Sequence, residues 1–218
     1  MASSIVRRFD EFVAMSAEDA NVAEGKRKFY TLAGFPHVIG CVDGTQIPII
    51  APNEREWEYV NRKGRHSINV QLICDADLRI INAVVRWPGS THDSRILRES
   101  NVYEVMEQNP ERGVILGDSG YPQLQWLMVP FYNPVTEGQR EYNRVHMSTR
   151  STIERCNGIL KRRFSCLNTI RLIITPRACN VIMSTIALHN LCLRYRDIGN
   201  ELELQPHEPE ERANVLMV

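Results

Sequence analysis

Three β-rich runs constrain how this chain can fold: His37 to Ile50 (HVIGCVDGTQIPII), Ser67 to Cys74 (SINVQLIC) and Arg79 to Trp87 (RIINAVVRW). The last two are separated by Asp75-Ala76-Asp77, a turn composition, and the three segments together predict an antiparallel meander. In the first run Asp43-Gly44 interrupts the apolar residues and Pro48 favours a strand end, which places Asp43 near the middle or end of that strand.

The residues that follow alternate in type. Asp93 to Gln108 carries Ile96, Leu97, Val102, Val105 and Met106 in a helical pattern that Asn109-Pro110 stops. Gly113 to Asp118 (GVILGD) reads as a buried strand and Leu127 to Phe131 as a shorter one. A long helix is predicted from about Ser148 to Phe164, and a closing helix from Pro176 to Arg194. Three meandering strands followed by alternating helices and strands is the order of an RNase H-like α/β domain, a mixed five-stranded sheet flanked by helices. Residues 1–33 read as a lead-in of one or two helices, with Ile5, Phe9, Phe12 and Val13 on one face. The domain then runs over residues 34–196, and residues 197–218 form an acidic tail that reads as disordered.

Nothing in the sequence approaches the roughly 20 apolar residues of a membrane helix, and the N-terminal residues lack the apolar run of a signal peptide. The expectation is a soluble intracellular protein with no membrane partner. The six cysteines include no CxxC pair, so reduced and mostly buried thiols are expected rather than a zinc ribbon or redox motif. The charge balance, 26 Lys+Arg against 26 Asp+Glu, conceals an asymmetry. From Arg140 to Arg177 nine basic residues stand against Glu141 and Glu154, a net +7, while the tail from Asp197 carries −5.

Asp43 lies within VIGCVDGT, Asp118 ends VILGD, and Glu154 sits among Arg150, Arg155 and Lys161 on the predicted long helix. Each is a carboxylate in a setting where its charge needs a partner. If the first and fourth strands are neighbours, their ends bring Asp43 and Asp118 together and the helix delivers Glu154. Three converging carboxylates repel one another unless a cation intervenes, and an all-oxygen set suits Mg²⁺ or Mn²⁺. Two such ions about 3.5–4 Å apart activate water on one side of a phosphodiester and stabilise the leaving oxygen on the other. The plainer readings are that Asp43 and Asp118 are turn acids, and that Arg150–Glu154 is a surface i,i+4 pair worth about 0.2–0.5 kcal/mol. Arg150, Glu154, Asn157 or Gly158, and Lys161 share one helix face, opposite Ile153, Leu160, Phe164 and Leu167.

Five segments, GFPHVIGCVDGTQIPI, YVNRKGRHSINVQLICD, WPGSTHDSRIL, LGDSGYP and TIERCNGILKRRFSCL, occur in this order between Gly34 and Leu193. On these residues the chain resembles the DDE transposases of the PIF/Harbinger superfamily, most closely the Harbinger transposase-derived nucleases of animals. The resemblance implies an RNase H-like catalytic fold, a DDE triad at Asp43, Asp118 and Glu154 that holds divalent metal, and DNA cleavage or strand transfer. The 36 residues from Asp118 to Glu154 fit the family's spacing. His92 and Asp93 match its HD pair and take a supporting role, with Asp93 equally readable as the N-cap of the helix it opens. The family's upstream helix-turn-helix region does not fit into residues 1–33. A Myb-like DNA-binding partner, a homodimer, and a nuclear location with a cytoplasmic pool are further expectations.

For DNA contact the sequence offers the loop Arg62-Lys63-Gly64-Arg65, and Arg150, Lys161, Arg162 and Arg163 on the basic helix. Trp57, Tyr59 and Trp87 read as packing residues more readily than as base-stacking ones. The rival class is a domesticated DNA- or protein-binding module that retains the fold with weak or no turnover. A carboxylate-pair glycosidase leaves the basic segment unexplained.

Overall fold

The structure is a computed structural model that describes residues 2–16, 18–172 and 175–195. The acidic tail therefore lies outside the described residues. Five strands, β1 (Val38–Pro48), β2 (Ser67–Cys74), β3 (Ile80–Pro88), β4 (Val114–Leu116) and β5 (Leu127–Met128), form one sheet in the order β3-β2-β1-β4-β5. The first three pair antiparallel, as the turn chemistry predicts, and β4 and β5 add to β1 in parallel. This is the mixed five-stranded sheet of an RNase H-like fold.

Seven helices surround it: α1 (Ala2–Val6), α2 (Phe9–Phe12), α3 (Asp19–Ala33), α4 (Asp93–Arg98), α5 (Asn101–Gln108), α6 (Glu137–Arg163) and α7 (Thr175–Arg194). Every residue of β2 is buried, because helices cover both faces of the sheet there. One face packs Cys41, Ile47, Val70 and Leu72 against Ile153, Cys156 and Leu160 of α6 and Ile182 and Ile186 of α7. The other packs Val42, Ile73 and Ile115 against Leu97, Val102 and Met106 of α4 and α5, with Tyr121 and Trp126. None of the described helices is long and apolar enough to cross a membrane. Cys41, Cys74 and Cys156 are buried free thiols, whereas Cys166 is exposed.

Several boundaries differ from the sequence expectation for local reasons. Helix α6 begins eleven residues before Ser148, at a capping box in which Thr136 Oγ1 accepts from Gln139 N (3.2 Å) and Gln139 Oε1 accepts from Thr136 N (3.1 Å). Its first turns are largely polar and exposed, so apolar periodicity does not announce them. The single helix expected over Asp93 to Gln108 is two, because Ser100 caps the second, its Oγ accepting from Tyr103 N. β5 stops at Met128; beyond it Phe131 N donates to Asn143 Oδ1 of α6 instead of extending the ladder. The lead-in forms three helices, and its Phe9, Val13 and Phe29 belong to the same core cluster as the sheet.

Candidate active site

Asp43 and Asp118 are brought together by strand register. In the parallel pair, Cys41 of β1 stands opposite Leu116, the last residue of β4. Two residues further along each chain come Asp43 and Asp118, where β4 has ended and β1 continues. The Asp43-Gly44 step does not break β1, because both residues stay paired with β2, opposite Leu72 and Gln71. Asp118 also behaves as the turn acid its DSG context suggests, Oδ1 accepting from Gly120 N at 2.9 Å.

Helix α6 supplies the other wall. Asn157 Nδ2 donates to Asp43 Oδ2 at 3.0 Å, and Arg150 Nη1 lies 3.6 Å from Asp43 Oδ1. The same guanidinium pairs through Nη2 with Glu154 Oε1. One cation thus bridges two acids of the expected triad. Lys161, one turn beyond Asn157, donates to the Gln46 carbonyl of β1 at 3.2 Å. The spacing of Arg150, Glu154, Asn157 and Lys161 therefore does define one face, and Asn157, not Gly158, is its third member.

Burial pushes the Asp43 carboxyl up to about 6; the Arg150 charge opposes this, while Asp118, Asp93 and Glu154 add to it. Burial also raises Asp93, against a hydrogen bond from Asn69, with Asp118 adding to the rise. Lys161 is lowered by burial, and the Asp43 charge pulls it back. Asp43 thus lies within the fields of three other carboxylates, Asp118, Asp93 and Glu154.

Asp93 is the fourth. The N-cap position of α4 belongs to His92, and the Asp93 side chain does not serve as a cap. It turns onto the sheet, where Oδ1 accepts from Asn69 Nδ2 at 2.8 Å. A Cβ at residue 44 would lie 2.2 Å from the same oxygen, so only glycine at that position admits the carboxylate. His92 is exposed and places Nδ1 2.8 Å from Arg62 Nη2. The sequence reading missed Asn69, Gln71 and Tyr121. Tyr121 is buried and its hydroxyl donates to Gln71 Oε1 at 3.3 Å. The available signal was two amides inside SINVQLIC, an otherwise apolar buried strand, where each must find polar company.

Among the cations expected at DNA, Arg62, Lys63, Arg65 and Arg162 are exposed. Arg150 is only 18% exposed and is committed to the carboxylates. Arg163 turns the other way, its Nη1 3.3 Å from Nδ1 of His189 in α7, so the structure does not bring it to the Asp43 face. Trp57 is 72% exposed and Trp87 is flanked by the guanidinium groups of Arg86 and Arg95 at 5.4 and 5.2 Å. The packing expectation therefore fails for Trp57, which sits on a short 3₁₀ turn (Glu56–Tyr59) outside both cores.

No three His, Cys, Asp or Glu side chains among the described residues stand close enough to enclose a metal ion. The donor chemistry nonetheless fits a hard divalent cation. Asp43 and Asp118 offer carboxylate oxygens at one strand splay, and the burial that raises Asp43, with the neighbouring acids adding to it, is what such a cation offsets. Glu154, engaged by Arg150, is the acid held furthest from that role.

A family model described as DDE superfamily endonuclease matches residues 42–190. The protein named "Putative nuclease HARBI1" is 35% identical to this chain over 199 residues in Rattus norvegicus, which covers 89% of this chain and 57% of the rat protein. In Homo sapiens it is 34% identical over 218 residues, covering 97% of this chain and 62% of the human protein. "Protein ALP1-like" of Arabidopsis thaliana is 27% identical over 211 residues, 88% of this chain and 51% of the plant protein. The chain thus spans about three fifths of the length of the HARBI1 relatives it matches. No solved structure matches it. The family match covers more than half of the chain, including Asp43, Asp118 and Glu154, and shows that the chain belongs to the DDE superfamily endonucleases, in keeping with its resemblance to the Harbinger-type members.

Proposed function

We propose that this chain is the catalytic part of a metal-dependent DNA nuclease that hydrolyses phosphodiester bonds at Asp43, Asp118 and Glu154, with strand transfer at the same site as an extension. The observation that carries the reading is that Asp43 and Asp118 each follow the last β1–β4 pair, Cys41–Leu116, by two residues, with Glu154 one guanidinium away from Asp43. Asp43 and Asp118 would hold Mg²⁺ or Mn²⁺, two ions in the full site, with Glu154 completing it. Bound ions would supply an activated water and stabilise the departing oxygen.

The chain's own residues do the rest. Asn157 fixes one oxygen of Asp43, leaving the other toward Arg150. Lys161 ties α6 to β1 through the Gln46 carbonyl and holds its charge near Asp43. Arg62, Lys63 and Arg65 form an exposed loop whose neighbour Gly64, at φ +69°, adopts the left-handed turn that presents them; they suit the DNA backbone, as does Arg162. A Myb-like partner would supply sequence recognition, with action in the nucleus.

The test is nicking of supercoiled plasmid by the purified chain with Mg²⁺, Mn²⁺ or EDTA. Asp43→Asn, Asp118→Asn and Glu154→Gln should each reduce metal-dependent nicking at least a hundredfold with an unchanged circular dichroism spectrum. Wild-type nicking that persists in EDTA would falsify the metal-dependent reading. The Arg150–Glu154 pair is the observation that favours the second reading, a DNA- or protein-binding module, since it occupies an acid the nuclease needs. Under that reading the wild type binds plasmid without nicking it in either metal.

A further inference from the structure

Asp93 lies on the opposite face of β1 from the Asn157 contact. In the antiparallel register Gly44 stands opposite Gln71 and Gln46 opposite Asn69, so these four share the face that α4 covers. Gly44 has no side chain, and the Asp93 carboxylate fills the space above it. Two amide atoms on this face have no hydrogen-bond partner: Oδ1 of Asn69, whose own Nδ2 grips Asp93, and Nε2 of Gln71, whose Oε1 is taken by Tyr121. Asn69 is 2% exposed and Gln71 is fully buried. A buried amide atom without a partner is costly, and an acceptor and a donor left on the face that holds the Asp93 carboxylate suit the waters of a hydrated ion.

We propose that Asp93 is a metal ligand of this protein, which together with Asp118 holds a divalent cation on the α4 side of β1, while the Asn69 and Gln71 amides bind the waters of that cation. The proposal rests on the nuclease reading above, to which it adds a ligand outside the triad. Asp118 follows β4 at the splay from β1 and opens the turn in which Tyr121 N donates to its carbonyl at 3.2 Å, and the Tyr121 hydroxyl reaches Gln71 on this same face. The Arg62 guanidinium, whose charge opposes the rise of Asp93, lies at the exposed rim beside His92. Arg150 serves the other face. A divalent ion with oxygen ligands answers the unbalanced charge of Asp93 and Asp118 and the stranded Asn69 oxygen together.

The test uses the whole chain and Mn²⁺ alone. Carboxyl groups of the wild type are labelled with a carbodiimide and an amine, with and without Mn²⁺, and quantified in tryptic peptides. The peptide covering residues 87–95 (WPGSTHDSR) contains Asp93 as its sole acid, so its labelling reports that carboxylate directly. Mn²⁺ should protect it at least threefold, and Asp93→Asn should weaken Mn²⁺ binding, followed by the electron paramagnetic resonance of free Mn²⁺, at least tenfold. Protection of the Asp43 and Asp118 peptides with none at residues 87–95 overturns the proposal and leaves the nuclease reading standing. Absence of any Mn²⁺ binding or protection overturns both. The footprint is read on wild-type protein, so it decides the matter even if Asp93→Asn does not fold.

Discussion

Arg150 sits between Asp43 and Glu154, its Nη1 3.6 Å from one carboxylate and its Nη2 paired with the other. This pairing joins a strand residue to a helix residue 111 positions away, and it makes a protein cation the charge partner of two acids that the family pattern assigns to metal. The two cations are thus in competition. Arg150→Gln should bind Mn²⁺ a few-fold more tightly, because a positive charge beside the site is gone, yet nick plasmid more slowly, because the guanidinium that a bound ion would release from the carboxylates toward phosphate is also gone. Calorimetric Mn²⁺ titration and nicking rates on the same preparation check both halves; weaker Mn²⁺ binding would contradict the competition.

Asp43 makes the metal-free protein less stable at neutral pH. Its folded pKa, about 6, exceeds the roughly 3.9 of an unfolded aspartate, so the folded state binds more protons between these values and stability falls as pH rises through that window. In EDTA, Asp43→Asn should be more stable than the wild type by about 1–3 kcal/mol at pH 7.5, with the difference disappearing near pH 4. Urea unfolding at the two pH values measures this. A variant less stable at both would show that the Asn157 and Arg150 contacts outweigh the buried charge.

Gly44→Ala tests the close approach of Asp93. With the new Cβ 2.2 Å from a carboxylate oxygen, the substitution should cost about 1–3 kcal/mol. Combining it with Asp93→Ala should recover most of that loss, a coupling that a thermodynamic cycle isolates. Strict additivity would mean that the strand, not the carboxylate, resists the methyl group.

Phe29 is completely buried in the core cluster that also holds β1, α6 and α7. Phe29→Ala should cost about 3–5 kcal/mol and move the single unfolding transition of the whole chain. A separate early transition, or a shift under 1 kcal/mol, would show α3 to be an independent appendage.

The basic residues should divide by orientation. Replacing Arg62, Lys63 and Arg65 together by Ala should lower the slope of log affinity against log salt by up to about three for duplex DNA. Arg163→Ala, whose side chain meets His189 between α6 and α7, should leave that slope unchanged and lower the melting temperature instead. Fluorescence anisotropy over a salt series, beside thermal unfolding, separates these effects.

The local signals in the sequence were enough for the strands and the closing helix, and they singled out three candidate acids, because each rests on short-range chemistry: alternation, turn residues, and acids embedded in apolar or cationic runs. The start of α6 was not legible, since a polar capping box and exposed first turns carry no apolar period. The role of Asp93 was also beyond it. As a string of residues, HD before a helix is an ordinary cap; what turns Asp93 to the sheet is a glycine 49 positions earlier and an asparagine on the neighbouring strand β2. Likewise Arg150–Glu154 is written in an i,i+4 spacing, but its extension to Asp43 is not. Spacing along one element determines which side chains share a face. Only the packing of elements distant in sequence decides which faces meet, and here that packing set Asp43, Asp93 and Asp118 about one strand splay and gave Asp43 and Glu154 a shared guanidinium.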